Sequence, residues 1–255
     1  NYGTGTLNIN ATGTVTGGAT TLGGAVGGTG SVNVNGTDAA LNTSSLIVGS
    51  YGRGVLAITD DGMVKSSGTG MVGDRAGSTG VGQILSVGNY GTGTLNINTT
   101  GTVTAGATTT GGGAGGRGMV NVNGTDAVLN TTSLTVGNYG QGMLAIADGG
   151  VVNSTGNGTV GSAADGSGIV TVEGTGSQWN LTGPLTIGVE GIGTMTLTDN
   201  AGVASNGGII GNAAMGNGTV DISTGAVWNN GTGTLTVGNG ATGDLYIHEG
   251  GTVNA

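Results

Sequence analysis

Cysteine and phenylalanine are absent from this 255-residue chain, proline occurs once, and 4 Lys or Arg face 13 Asp or Glu. Without cysteine there is no disulfide framework and no thiolate centre for metal or redox chemistry, and an oxidising compartment carries no risk of mispairing. Four cations cannot neutralise a run of phosphates, which excludes nucleic acid as a partner and a basic patch as a membrane anchor. No apolar run approaches the roughly 18 residues a spanning helix needs, so this segment does not insert into a membrane. The start at Asn1-Tyr2-Gly3 carries no charged-then-apolar leader, and the chain reads as a piece excised from a longer one.

What is plentiful is glycine, at 63 residues. Without a period that would signal a low-complexity chain. A period exists, however. Asn1-Tyr2-Gly3-Thr4-Gly5-Thr6-Leu7-Asn8-Ile9-Asn10 recurs unchanged 88 residues later, at Asn89–Asn98. Beneath it runs a finer rhythm, Gly-x-apolar-x-apolar, opening at Gly5, Gly30, Gly54, Gly93, Gly118, Gly142, Gly168, Gly193, Gly218 and Gly243. The spacings are 25, 24, 39, 25, 24, 26, 25, 25 and 25 residues.

Each coil of about 25 residues offers three short segments in which Val, Ile, Leu and Thr alternate with polar residues, bounded by Gly, Asn and Asp. Such segments read as strands, and the glycine density excludes helices. Three strands per coil, stacked coil on coil, predict an all-β parallel β-helix of about ten rungs, a single repeat domain over residues 1–255. A propeller, whose blades approach the two-coil period of about 50 residues, would not show the half-period so clearly. The 39-residue interval lacks about a dozen residues of a two-coil unit. It predicts an irregular rung around residues 73–84, either one rung with an outward loop or two cramped ones.

Candidate chemistry is sparse. His248, the sole histidine, sits beside Glu249 after the last long strand and reads as a surface residue without a catalytic partner. Asp38 and Asp126 share a repeat position about 15 Å apart at the rung spacing, beyond the roughly 5–10 Å of paired glycosidase carboxylates. Asp60, Asp61, Asp148 and Asp199 read as turn residues. No calcium-binding nonapeptide recurs and no helix follows the glycine clusters to receive a phosphate, so neither a metal site nor a cofactor is expected. Asp74 and Arg75, with Lys65 nearby, form the one spot that would suit a carbohydrate-acting enzyme. Overall the sequence reads as non-enzymatic.

Two surface features remain. The outward position between the apolar residues of the first strand holds Asn8, Asn33, Ala57, Asn96, Asn121, Ala145, Thr171, Thr196, Asp221 and Tyr246, a polar ladder if the coils stack. Tyr2, Tyr51, Tyr90 and Tyr139 recur in Asn/Ser-Tyr-Gly turns, a spaced column of rings at one corner and the candidate binding residues of the chain. Trp179 and Trp228 replace Leu at an apolar repeat position and read as core.

The segments Val136–Ile146, Leu235–Ile247 with Gly250-Gly251-Thr252-Val253, and Gly166–Asn180 carry the pattern Leu-x-Val-Gly-Asn-x-Gly-x-Gly-x-Leu-x-Ile followed by Gly-x-Val and, later, Trp-Asn. This resembles the repeats of bacterial autotransporter (type V secretion) passenger domains, along essentially the whole chain. The resemblance implies a right-handed β-helix at the surface of a Gram-negative cell, anchored to the outer membrane by a segment outside this chain. It also implies a role in adhesion, self-aggregation or biofilm formation. Its partners would be host or matrix molecules, or sister copies met through β-helix faces or ends. The alternative is a carbohydrate-binding or polysaccharide-degrading β-helix.

Overall fold

The computed structural model describes residues 3–25, 27–49, 52–66, 70–72 and 84–255. Its elements are all strands, every pairing between them is parallel, and the stack is the three-faced β-solenoid the glycine rhythm predicts. The first face stacks ten strands: Thr4–Asn10, Thr29–Asn35, Arg53–Thr59, Thr92–Asn98, Arg117–Asn123, Gln141–Ala147, Ser167–Glu173, Ile192–Thr198, Asn217–Ile222 and Thr242–Ile247. Their motif glycines lie in one column, as Gly93 to Gly118 to Gly142 to Gly168. The second and third faces merge into one sheet because Thr14–Leu22 and Ala40–Val48 each turn the corner between them as a single nine-residue strand. From Thr102–Thr104 onward the chain breaks at that corner into two strands per coil.

Period-2 alternation aims the apolar residues inward. In Arg117–Asn123, Gly118, Val120 and Val122 are buried, while Arg117, Met119 and Asn123 are exposed. The inner columns merge into one continuous core that includes Ile9, Leu56, Leu95, Leu144, Trp179 and Trp228. The motif glycines are required by close approach. A Cβ on Gly118 would lie 2.0 Å from the carbonyl oxygen of Val87 and 2.6 Å from the amide nitrogen of Gly111. Gly111 itself has φ +57°, the left-handed conformation glycine adopts freely.

Core volume explains why alternate coils differ. Trp179 of one coil projects over Gly158 of the coil before it, whose missing Cβ would sit 2.9 Å from the Trp ring. Trp228 stands over Gly208 in the same way, at 2.7 Å. The sheet register sets Gly158 in line with Leu134 and Leu185, and Gly208 in line with Leu185 and Leu235. A large side chain on the second face is thus matched by a glycine on the third, which keeps the interior near close packing.

The pairings on either side of residues 73–83 show how the 39-residue interval joins the stack. Arg53–Thr59 pairs directly with Thr92–Asn98 on the first face, and Met63–Ser66 pairs with Thr102–Thr104 on the second. On the third face, Gly70–Val72 pairs with Ile84–Val87, which in turn pairs with Ala107–Thr110. Among the described residues the interval therefore adds one strand, on the third face. Residues 73–83, where an outward loop or a cramped second rung is expected, lie outside the described residues.

That added strand shifts the third face by one rung against the first. Before it, a turn glycine meets the next first-face strand: a Cβ on Gly49 would lie 2.0 Å from the carbonyl oxygen of Arg53. After it, the turn glycine meets the strand one coil further on: the corresponding neighbour of Gly88 is the carbonyl oxygen of Arg117, at 1.9 Å. Gly137 against Ser167 and Gly161 against Ile192 continue the new setting.

Candidate functional site

The interior is filled by the apolar columns, so any chemistry open to solvent lies on the outward-facing residues. On the first face the Asn column forms two amide-to-amide hydrogen bonds, Asn33 Nδ2 donating to Asn8 Oδ1 and Asn121 Nδ2 to Asn96 Oδ1, each 2.7 Å. Ala57 lies between the two pairs in register. A second ladder, absent from the expectations above, runs along the second face through Asn130, Asn153 and Asn180, with bonds of 3.0 and 3.1 Å. Amides engaged with each other in this way lend stability to the stack.

The aspartates named above sit in turns. Asp38, Asp60, Asp61, Asp126, Asp148 and Asp199 all have positive φ, the conformation in which an Asp side chain is tolerated at a turn. Among the described residues no group of three His, Asp or Glu side chains is placed to hold a metal ion. His248 departs from its expected isolation: its Nε2 lies 2.8 Å from Asp221 Oδ1, one coil below. The sequence concealed this pair because its members are 27 residues apart and occupy different repeat positions. Setting the coils in register, with Asp221 beside Tyr246, brings His248 within reach. Both partners remain about half exposed, so the pair sits at the solvent boundary.

Of the tyrosines, Tyr2 and Tyr51 lie outside the described residues, as do Asp74 and Arg75. Tyr90 is 45% exposed and lays its ring over the next coil's turn, where a Cβ on Gly113 would strike it at 2.3 Å. Tyr139, 55% exposed, borders a shallow hollow of about 330 Å³ together with Arg117, Gln141 and Asp165. An aromatic face, a guanidinium, an amide and a carboxylate converge there. They offer donors and acceptors for a polyhydroxylated ligand.

Next to this hollow, and sharing Arg117 and Gln141 with it, a groove of about 460 Å³ runs along the first face. Its floor is the glycine column at Gly93, Gly118 and Gly142, and its apolar wall is Met119, Met143 and Ile169. The three wall residues occupy consecutive strands in register. No signal in the repeat pattern marked them, because they fill a position that is Thr in neighbouring coils, at Thr94 and Thr194.

Fold and surface together define the class: a parallel β-solenoid rod with ladder-stabilised outer faces and a shallow hollow and groove at the meeting of the first and third faces. Among curated proteins, the chain is 33% identical over 168 residues to the uncharacterized lipoprotein YdeK of Escherichia coli (strain K12). That alignment covers 60% of this chain and 13% of the relative, so the chain spans about an eighth of that protein's length. No family model and no solved structure matches the chain.

Proposed function

We propose that this chain is a non-enzymatic, surface-displayed β-solenoid of an autotransporter-like adhesin, serving as stalk and binding surface in adhesion, self-aggregation or biofilm formation. The observation that carries the reading is the unbroken stack of coils presenting a broad outer face of Asn, Thr and Met with little charge. A rod of this kind holds a recognition surface away from its anchor, and nearest-neighbour pairing gives it length without a larger core. The likeness to a lipoprotein supports a location at the cell envelope. Display of the chain on non-adherent cells or beads tests the reading: clumping with each other or capture by matrix-coated surfaces is expected. Failure of both leaves a passive spacer.

A second reading, carbohydrate binding, is favoured by the hollow at Tyr139. Here Tyr139→Ala and Asp165→Asn are expected to lower retention on a polysaccharide array. Retention equal to that of the parent chain, or none by either, removes it.

A further inference from the structure

We infer that the first face between Thr92–Asn98 and Ile192–Thr198 is a self-complementary docking surface for a second copy of this chain; this deepens the self-aggregation reading and rests on it. The face is unusual in three respects. Its centre is apolar: Met119, Met143 and Ile169 stand in one column, 36%, 36% and 41% exposed, and Ile192 adjoins them at 56%. The column is contiguous, where exposed apolar residues elsewhere in a soluble chain are expected singly.

Charge is the second respect. The molecule carries a net −9, which disfavours contact between most parts of two copies. Within these five strands the outward charges reduce to one cation and one anion, Arg117 and Glu173. They stand at opposite corners, Arg117 opening its strand and Glu173 closing the strand two coils on. A two-fold axis in the plane of the face, perpendicular to the line joining them, sets each Arg117 opposite the other copy's Glu173. Such an isologous contact closes into a dimer. The ion pair recorded among the described residues joins His248 and Asp221, which leaves Arg117 and Glu173 without one.

The third respect is area. Strands about 4.8 Å apart and about 3.3 Å per residue make five seven-residue strands a plane of about 550 Å² per copy, about 1,100 Å² for the pair. That clears the roughly 1,000 Å² a biological contact needs and lies just below the roughly 1,200 Å² of stable specific interfaces, so the association is weak and concentration-dependent.

Sedimentation velocity and light scattering of the whole chain across a wide concentration range test this. The expected result is a reversible monomer–dimer equilibrium. Met143→Glu, at the centre, is expected to weaken it about tenfold or more, with the β-sheet circular dichroism unchanged because the side chain points outward. Arg117→Glu and Glu173→Arg singly are expected to weaken it less, and the double exchange to restore it. A chain monomeric throughout, or a dimer indifferent to Met143→Glu, overturns the proposal. If the display assay still reports capture by matrix while the chain stays monomeric, this face is refuted and the adhesive function stands.

Discussion

Two stretches of identical sequence occupy different surroundings in this rod. Thr4–Asn10 and Thr92–Asn98 are both Thr-Gly-Thr-Leu-Asn-Ile-Asn. In the first block, formed by the coils before Ile84–Val87, each turn glycine of the third face abuts the next first-face strand. In the second block, formed by the coils after it, the glycine abuts the strand one coil beyond. The offset between faces is therefore not written in the first-face motif. It is imposed by the single added strand and handed on from coil to coil, as expected where each repeat contacts only its neighbours.

The most disruptive way to break the comparison is to delete residues 73–87. This leaves a spacing of 24 residues from Gly54 to Gly93, the length of a regular coil. If the added strand sets the offset, the whole rod adopts the first block's setting and stays folded. Met71→Cys with Thr109→Cys reads the outcome. In the parent chain Ser86 separates the two positions, placing them about 9.6 Å apart, too far for a disulfide. In the deletion they become neighbours and crosslink. A deletion that folds without crosslinking would show that the second block fixes its own offset.

Glycine gives the next largest contrast. In the second block Gly118→Val drives a Cβ into backbone atoms that cannot yield, and a loss of about 3 kcal/mol or more is expected by denaturant unfolding. In the first block Gly17 has no heavy atom within 4 Å of an added Cβ. Gly17→Val is accordingly expected to stay within about 0.5 kcal/mol of the parent. Equal losses at the two positions would refute the close-approach account.

Core volume separates the blocks as well. The first block uses Leu41 and Leu46 where the second has Trp228 and Gly208, and Trp228 Nε1 adds a 2.9 Å hydrogen bond to Ser205 Oγ. Trp228→Leu alone is expected to cost about 2–3 kcal/mol through the cavity it opens. Gly208→Leu alone overpacks by a similar amount. The double substitution should recover at least about 1 kcal/mol of the summed losses, a coupling that thermal or denaturant unfolding of the four proteins measures. Strict additivity would separate the two sites.

The coil length, the three strands, the inward apolar columns and the turn aspartates were legible in the sequence because each follows from a local period. The inserted strand was visible only as a missing dozen residues. Residue counts give the length of a coil but not which face keeps its strand, a choice made by pairing. The Trp–Gly complement and the His248–Asp221 pair escaped for a related reason: both join positions in different repeat columns of successive coils. Of the four tyrosines, Tyr139 borders a hollow and Tyr90 covers a turn. The groove wall at Met119, Met143 and Ile169 was hidden as an ordinary variation at an outward position.

The smallest expected effect lies at the boundary between the blocks. Ala57 stands in register between Asn33 and Asn96, and the amide pairs on either side each stop there. The first-face ladder crosses the boundary without the shift that affects the third face. An amide placed at this position should therefore accept from Asn96 and donate to Asn33 at ordinary strand spacing. Ala57→Asn is expected to join the two pairs into one five-residue ladder and stabilise the chain by about 0.5 kcal/mol. Asn153→Ala, which interrupts the Asn130–Asn153–Asn180 ladder of the second face, should cost a similar amount. If Ala57→Asn destabilises while Asn153→Ala behaves as expected, the first face also carries strain at the boundary, and the added strand disturbs more than the face on which it lies.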